Sequence, residues 1–134
     1  MTRVVVSGYF DPLHVGHLEY IQLSRKLGDK LIVILNNDDQ ALLKKPKIFM
    51  PMEERRKILL ALQDVDEVYI SIDDDESVCK SLQAVAPDIF ANGGDRHSGE
   101  SPETPICNEL GIKLVDGLGQ KIQTSSKLIK KWEE

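Results

Sequence analysis

The sequence predicts an α/β fold in which a five-stranded, mostly parallel sheet is covered by helices on both faces. Short runs rich in valine, isoleucine and leucine alternate along the chain with segments whose apolar residues recur at helical spacing, and this alternation is typical of parallel sheets. The strand runs are continuously apolar, as expected for strands that are covered on two sides. The 134 residues fit a single domain spanning residues 1–134.

The predicted strands and helices alternate from one end of the chain to the other. The strands are Arg3 to Ser7, Leu31 to Asn36, Glu67 to Ser71, Asp88 to Asn92 and Lys113 to Asp116. The helices are about His14 to Leu27, Pro51 to Leu62, Glu76 to Ala86, Pro102 to Leu110 and Ser125 to Trp132. Gly28 and Gly111 are predicted as C-terminal helix stops, and Pro51 and Pro102 as first-turn residues. The residues from Asn37 to Lys47 are predicted to form a loop.

Composition and charge exclude several classes of protein. The net charge of −5 argues against a general nucleic-acid binder, which normally carries a basic excess. The longest apolar run, Leu31 to Leu35, is too short to span a bilayer. Cys79 and Cys107 lack metal-ligand spacing and the chain shows no secretory signal, so we expect reduced thiols, no zinc and a cytoplasmic protein. The acidic run from Asp73 to Glu76 is expected to be a solvated loop and helix start.

A ten-residue segment from Gly8 to His17 follows the first predicted strand and has the features of a phosphate site. Gly8 lets the chain turn, and the helix that follows begins with amide groups that lack partners and attract anions. His14 and His17 are three residues apart and share one helix face, while Gly16 leaves room for a ligand. The alternative is that both histidines only cap or fill the start of the helix.

The residue order in this segment, Gly-x-Phe-Asp-x-x-His-x-Gly-His, resembles the signature of the cytidylyltransferase-like nucleotidyltransferases. That family includes glycerol-3-phosphate cytidylyltransferase, heptose-phosphate adenylyltransferase and archaeal FAD synthase. The resemblance continues through Lys26 to Asp29, Val65 to Val68, Pro87 to Phe90 and Thr124 to Ser126. It implies a three-layer Rossmann-like nucleotidyltransferase fold and a homodimer.

Arg55 is unusual because it falls within the predicted apolar stripe of its helix, which consists of Met52, Ile58, Leu59 and Leu62. A buried arginine needs an anion. One interpretation is a structural ion pair, for example with Asp66, or a side chain whose stem packs while its head reaches water. The resemblance implies the other interpretation, a role near the nucleotide, because relatives have an arginine at this point of the helix.

Further candidate residues follow the later strands, at the sheet edge where open parallel sheets bind ligands. Gly93, Gly94, Asp95 and Arg96 form either a plain turn or, as the resemblance implies, contacts with the nucleotide base. Thr124, Ser125 and Ser126 either cap the last helix or bind phosphate oxygens. Ile122 and Gln123 stand where the glycerol-phosphate enzyme has Gly-Ile, which leaves the acceptor open.

Lys44, Lys45 and Lys47 cluster after the second strand. They form either a solvated basic loop or a cover over the cleft, in which one ammonium group neutralises charge on the α-phosphate.

The resemblance implies an enzyme that transfers a nucleoside monophosphate from a nucleoside triphosphate to a small phosphorylated acceptor and releases pyrophosphate. We expect CTP as the donor and a polyol, sugar or amino-alcohol phosphate as the acceptor. The alternatives are an adenylyltransferase that uses ATP and a heptose phosphate or FMN, or a nucleotide-binding regulatory domain without turnover. A fragment of a class I aminoacyl-tRNA synthetase fits poorly, because the chain lacks a basic surface for tRNA.

The predicted site residues fall into two groups. The catalytic candidates are His14, His17, Lys44 and Lys47, which would stabilise charge on the phosphates. The nucleotide-binding candidates are Gly8, Tyr9, Phe10, Asp11, Gly16, Arg55, Gly93, Gly94, Asp95, Arg96, Gln123, Thr124, Ser125 and Ser126. Mg²⁺ is expected to arrive with the triphosphate, and no residue is predicted as a protein ligand to metal.

Overall fold

A computed structural model describes residues 1–11, 13–44, 47–93 and 102–118 of the chain. In chain order its strands and helices are β1 (Arg3–Gly8), α1 (Val15–Arg25), β2 (Lys30–Leu35), α2 (Asp38–Lys44), α3 (Met52–Leu60), β3 (Glu67–Ile70), α4 (Cys79–Val85), β4 (Ile89–Gly93), α5 (Thr104–Leu110) and β5 (Lys113–Leu118). All five predicted strands are present, with ends that differ by one or two residues. The predicted helix from Ser125 to Trp132 lies outside the described residues.

The five strands form one sheet in the order β3-β2-β1-β4-β5, and every neighbouring pair is parallel. From β1 the sheet extends through β2 to β3 on one side. The chain then crosses back, and β4 and β5 lie on the other side of β1. The strand order therefore reverses between β1 and β4. Because ligands of open parallel sheets bind outside the carboxyl ends of the strands at such a reversal, the end of β1 is the expected position of a site.

Helices cover both faces of the sheet, which makes three layers. On one face, Tyr20 and Ile21 of α1 and Leu59 of α3 pack on β1 and β2. On the other face, Leu82 of α4 and Cys107 of α5 pack on the opposite side of the same strands. The predicted α/β, three-layer Rossmann-like fold is confirmed.

The prediction of a loop from Asn37 to Lys47 is wrong, because α2 occupies most of it. Asn37 and Gln40 hold the helix start with two reciprocal hydrogen bonds. The Gln40 amide donates to Asn37 Oδ1 at 2.8 Å, and the Asn37 amide donates to Gln40 Oε1 at 3.0 Å. This arrangement is a capping box, and its spacing is present in the sequence as Asn-Asp-Asp-Gln.

Helix α4 begins three residues later than predicted because the backbone before it is bonded elsewhere. The Gln40 side-chain amide donates to the carbonyls of Asp75 and Ser77, at 2.7 and 2.9 Å. Asp73, which is only 4% exposed, accepts from the amides of Lys80 and Ser81 and so caps the helix from a distance. Asp73 is therefore buried, whereas the other three residues of the acidic run are exposed.

The two glycines predicted as helix stops have different roles. Gly111 has a φ of +72° and ends α5 in the left-handed conformation that favours glycine. Helix α1 ends instead at the C-cap Lys26, and Gly28 is needed for close packing. A Cβ at Gly28 would lie 2.7 Å from the Thr2 carbonyl oxygen, so this glycine lets the turn before β2 pack against the start of β1.

The prolines also depart from the prediction. Pro51 is the N-cap of α3 rather than its first residue. Helix α5 starts at Thr104 and carries Pro105 in its first turn, so Pro102 lies outside the helix. Both cysteines, Cys79 and Cys107, are free thiols, and burial raises the pKa of Cys107 to about 11. Among the described residues, no helix has the length and apolarity needed to cross a membrane.

Candidate active site

The loop after β1 is shaped by Phe10, whose φ of +50° is uncommon for a residue other than glycine. The side chain of Phe10 is buried, and its ring lies over Gly8. A Cβ at Gly8 would stand 3.1 Å from two atoms of that ring. The edge of the Phe10 ring also contacts the His17 ring, with centroids 4.8 Å apart. Gly8 and Phe10 thus fix the position of His17 through ring packing.

His14 and His17 form a capping box at the start of α1. His14 is the N-cap, and its Nδ1 accepts a hydrogen bond from the Gly16 amide at 3.1 Å. His17 is the third helical residue, and its Nδ1 accepts from the His14 amide, also at 3.1 Å. The two imidazole rings stack with centroids 3.8 Å apart and an interplanar angle of 22°. The two rings therefore form one packed unit that also starts the helix.

The capping bonds determine the protonation pattern of both rings. A nitrogen that accepts a hydrogen bond carries no proton, so the neutral form of each ring has its proton on Nε2. Partial burial lowers the pKa of His14 below its ordinary value of 6.5. The His14 ring is accordingly neutral at pH 7 and offers an Nε2–H donor.

The helix start is not the row of unpartnered amides that the sequence predicts. The amides of His14 and Gly16 are bonded to the two Nδ1 atoms, and the amides of His17 and Leu18 point to the His14 carbonyl at 3.0 and 3.3 Å. The backbone amides of His14, Gly16, His17 and Leu18 are therefore already engaged within the turn. The structure confirms that both rings cap the helix start through Nδ1, and the phosphate-binding interpretation stays a prediction.

Asp11 joins the β1 loop to the chain before α3. It is completely buried, and its carboxylate accepts from the amides of Phe49 and Met50 at 3.0 and 2.5 Å. These bonds hold the segment that contains Lys47 beside the loop that leads to the histidines. Asp11 therefore shapes the site by connecting two loops.

Arg55 is buried with 1% of its surface exposed. Its guanidinium group connects four segments of the chain that surround the candidate site. It donates to the carbonyls of Met50 at 2.9 Å, Tyr9 at 2.7 Å and Asn36 at 3.0 Å. It also makes an ion pair of 2.7 Å with Asp38. The structural interpretation of Arg55 is confirmed, although the suggested partner Asp66 is wrong.

Two acidic residues have partners or roles that the sequence does not indicate. Asp66 pairs with Arg25 at 3.3 Å and accepts from the Leu31 amide at 2.8 Å. Asp38 accepts from both Arg55 and the Met52 amide, so it joins the start of α2 to the start of α3. Asp38 is the site residue that sequence reasoning misses, and the capping box from Asn37 to Gln40 is the signal that could find it.

The remaining predicted site residues are placed only in part. Gly93 ends β4, which lies directly beside β1 in the sheet. The hydroxyl of Tyr20 donates to the Ala91 carbonyl and so fastens α1 to β4 at this edge. Lys44 is the last residue of α2 rather than a loop residue, and Lys47 is exposed. The predicted residues that lie outside the described part of the chain are Lys45, Gly94, Asp95, Arg96, Gln123, Thr124, Ser125 and Ser126.

A parallel sheet with paired imidazoles at a helix start beside its strand reversal has the architecture of the α/β proteins that bind phosphate-bearing ligands such as nucleotides. Residues 5–127 match the family model described as Cytidylyltransferase-like. The chain therefore belongs to the cytidylyltransferase-like family and is a nucleotidyltransferase.

Relatives of this chain agree with that assignment. The FAD synthase of Ferroglobus placidus is 37% identical over 84% of this chain and 72% of its own length. The FAD synthase of Methanoculleus marisnigri is 33% identical over 98% of this chain and 89% of its own. The Bifunctional protein HldE of Syntrophotalea carbinolica is 36% identical over 91% of this chain, which corresponds to 23% of that protein.

Solved structures also match the fold. The lipopolysaccharide core biosynthesis protein from Thermoplasma volcanium has a TM-score of 0.76 and 32% identity, covering 90% of this chain and 98% of that one. A protein from Archaeoglobus fulgidus with a TM-score of 0.66 and 20% identity shares the fold.

Proposed function

We propose that the protein is an adenylyltransferase that transfers AMP from ATP to FMN, forming FAD and pyrophosphate. The similarity to FAD synthases over most of both chains supports this alternative over the CTP-dependent reaction expected from the sequence. The observation that carries the proposal is the stacked His14–His17 pair, whose Nδ1 atoms accept the two capping bonds and so leave the proton of each neutral ring on Nε2.

The proposed reaction is a direct displacement. An oxygen of the FMN phosphate forms a bond to the α-phosphorus of ATP, while the bond from that phosphorus to the bridging oxygen of the β-phosphate breaks. The electron pair leaves with pyrophosphate, so no covalent enzyme intermediate is needed. A phosphate monoester is largely dianionic at pH 7 because its second pKa is about 6, so the acceptor needs no general base.

The residues of this site act by alignment and charge stabilisation. His14 and His17 donate from Nε2 to phosphate oxygens on which negative charge grows during the displacement. The exposed side chain of Lys47 adds a flexible positive charge, and we assign the same role to Lys44. As the family resemblance implies, we assign Gly93 to Arg96 to the base, Thr124 to Ser126 to the triphosphate and Gln123 to the nucleotide.

Mg²⁺ fits this site as part of the bound nucleotide. Among the described residues no cluster of three or more His, Cys, Asp or Glu side chains has the arrangement of a metal site, and the Asp11 carboxylate is bonded to backbone amides. Bound together with the nucleotide, Mg²⁺ would neutralise part of the phosphate charge and would need no ligand from the protein.

The test measures product formation with each donor and acceptor. The full-length protein is incubated with FMN, Mg²⁺ and either ATP or CTP, and flavin products and pyrophosphate are quantified, with His17→Ala as the control. We expect FAD from ATP, little product from CTP, and loss of product in the variant. CTP-dependent turnover of a polyol phosphate would instead support the cytidylyltransferase reaction expected from the sequence. Nucleotide binding without turnover of any acceptor would support a regulatory domain.

A second candidate has an observation of its own. The similarity to Bifunctional protein HldE and to the Thermoplasma lipopolysaccharide core biosynthesis protein supports adenylyl transfer from ATP to a heptose phosphate. The same assay distinguishes the two acceptors when heptose 1-phosphate replaces FMN. A higher kcat/KM for the sugar phosphate would favour this second candidate.

A further inference from the structure

Gly8 ends β1 at the point where the chain leaves the sheet, and its lack of a side chain provides space rather than conformational freedom. Gly8 is part of the strand and does not have a positive φ, in contrast to Gly111. A Cβ at position 8 would lie 3.1 Å from Cε2 and Cζ of Phe10 and 3.5 Å from Cε1. Apart from the chain neighbours of Gly8, the three nearest atoms thus all belong to the Phe10 ring, so this glycine makes room for that ring.

Phe10 combines a strained backbone with a buried side chain. Its φ of +50° lies in the left-handed region, where the Cβ of a bulky residue is crowded. Only 3% of Phe10 is exposed, and it belongs to the core cluster that also contains Val6 and Ile21. A strained conformation of this kind persists only where the surrounding packing holds it, and such residues gather at functional sites.

The Phe10 ring connects this core to His17. The two ring centroids are 4.8 Å apart and the ring planes are inclined by 76°, an edge-to-face geometry that aromatic pairs prefer. His17 has two other restraints, the stacked His14 ring and the hydrogen bond from the His14 amide to Nδ1. Both of these come from the helix start that carries the pair, whereas Phe10 ties the His17 ring to the core of the protein.

We propose that Phe10 is a positioning residue for the transfer reaction, and that its ring, packed between Gly8 and His17, fixes the orientation from which His17 donates to phosphate. This inference rests on the proposed function. Phe10 acts through the imidazole of His17 and contacts no substrate in this role. The strained backbone then has a reason, because an extended or helical φ at residue 10 would point the side chain in another direction.

A double-mutant cycle on Gly8→Ala and Phe10→Leu tests this connection. Alanine at position 8 adds one methyl group that presses on the Phe10 ring, whereas leucine at position 10 is apolar but lacks the ring atoms that this methyl group would meet. Steady-state assays with ATP and FMN give kcat and KM, and NMR of the imidazole protons reports the environment of the His17 ring. We expect Phe10→Leu to lower kcat about tenfold and to leave the KM for ATP within about twofold, because the orientation of a donor matters most in the transition state.

The second substitution shows whether the Phe10 ring transmits the effect. Gly8→Ala should lower kcat about threefold or more and shift the His17 signals when Phe10 is present, but should change kcat by less than about twofold and leave those signals in place when residue 10 is leucine. The control is Phe90→Leu, because Phe90 is also fully buried but packs in the core cluster on the opposite face of the sheet. This control should lose stability while its kcat stays within about twofold of the wild type and its His17 signals stay in place.

Other results would contradict the inference. Equal effects of Gly8→Ala with and without the Phe10 ring would show that residue 8 acts through the backbone. Wild-type kcat in Phe10→Leu, or an equal loss of kcat in Phe90→Leu, would remove the positioning role while leaving the proposed function in place. If Gly8→Ala does not fold, the comparison of Phe10→Leu with Phe90→Leu decides the question by itself. Wild-type protein that forms no FAD would end the proposed function and this inference with it.

Discussion

At the scale of single residues, each histidine uses one ring nitrogen to cap the helix, and we propose that the other nitrogen binds phosphate. Nδ1 of each ring caps the helix, with donor–acceptor distances of 3.1 Å, and this bond leaves the proton on Nε2. The sequence analysis treats capping and phosphate binding as alternatives, but they are compatible because an imidazole has two nitrogens. The stacked arrangement also means that each ring orients the other.

Replacement of His14 can separate the two tasks. In His14→Asn the side-chain oxygen still accepts from the Gly16 amide, because asparagine is a good N-cap, but the Nε2–H donor is lost. We expect kcat to fall about 100-fold or more in both His14→Asn and His14→Ala, the usual cost of removing one transition-state donor. The thermal midpoint should fall only in His14→Ala, by the equivalent of about 1 kcal/mol.

Steady-state kinetics and thermal unfolding of the two variants test this expectation. If His14→Asn kept a kcat within about threefold of the wild type, His14 would be a helix cap without a catalytic role.

At the scale of structural elements, Arg55 holds together the four chain segments around the candidate site. Its guanidinium group bonds to the loop after β1, the end of β2, the start of α2 and the chain before α3. Loss of this group would remove one donor from three carbonyls and from the Asp38 carboxylate. The side chain of Asp38 is 37% exposed, so water can hydrate the Asp38 carboxylate after the arginine is removed.

We expect Arg55→Ala to destabilise the protein by about 3 kcal/mol, because three carbonyl groups lose a buried donor and the Asp38 carboxylate loses its ion pair. Urea unfolding measures this loss, and Arg56→Ala on the same helix is the control, since the ion pair of Arg56 with Glu53 is partly exposed and long, at 3.8 Å. Near-normal stability combined with weakened ATP binding would instead assign Arg55 to the nucleotide, a role that stays a prediction.

The elements show where sequence reasoning works and where it fails. The strands are predictable to within two residues because continuous apolar runs such as Leu31 to Leu35 are typical of buried parallel strands. Helix α2 is hard to predict because it is short, includes charged positions and lacks an apolar stripe, so its capping box is the usable signal. The start of α4 depends on Gln40, which is distant in sequence and bonds to the carbonyls of Asp75 and Ser77.

At the scale of the whole molecule, the site lies where the strand order reverses, between β1 and β4. This edge is predictable from the sequence because the motifs follow strand ends. The bonds from Phe49 to Asp11 and from Arg55 to Tyr9 are not predictable in this way, since they join residues 38 and 46 positions apart. Local patterns predict elements, whereas such long-range polar bonds depend on how the elements are packed.

The stability of the whole molecule should depend on pH through His14. Partial burial lowers the pKa of His14 in the folded protein, while in the unfolded chain it returns to about 6.5. Between these two values the unfolded chain binds more protons, so the free energy of unfolding decreases as the pH falls through this window and is unaffected above it. Protonation at Nδ1 would also oppose the bond from the Gly16 amide.

The matched comparison is wild type against His14→Asn, which keeps a cap but has no titrating ring. Urea unfolding at about pH 7.5, 6.5 and lower, at constant ionic strength, should show the wild type losing more stability than the variant below about pH 6.5. The extra slope is limited to about 1.4 kcal/mol per pH unit, the value for one proton. Because α1 places Tyr20 and Ile21 in the core, loss of its cap is expected to lower global stability rather than merely fray one helix end. Parallel pH profiles for the two proteins would show that His14 has the same proton affinity in the folded and unfolded chains.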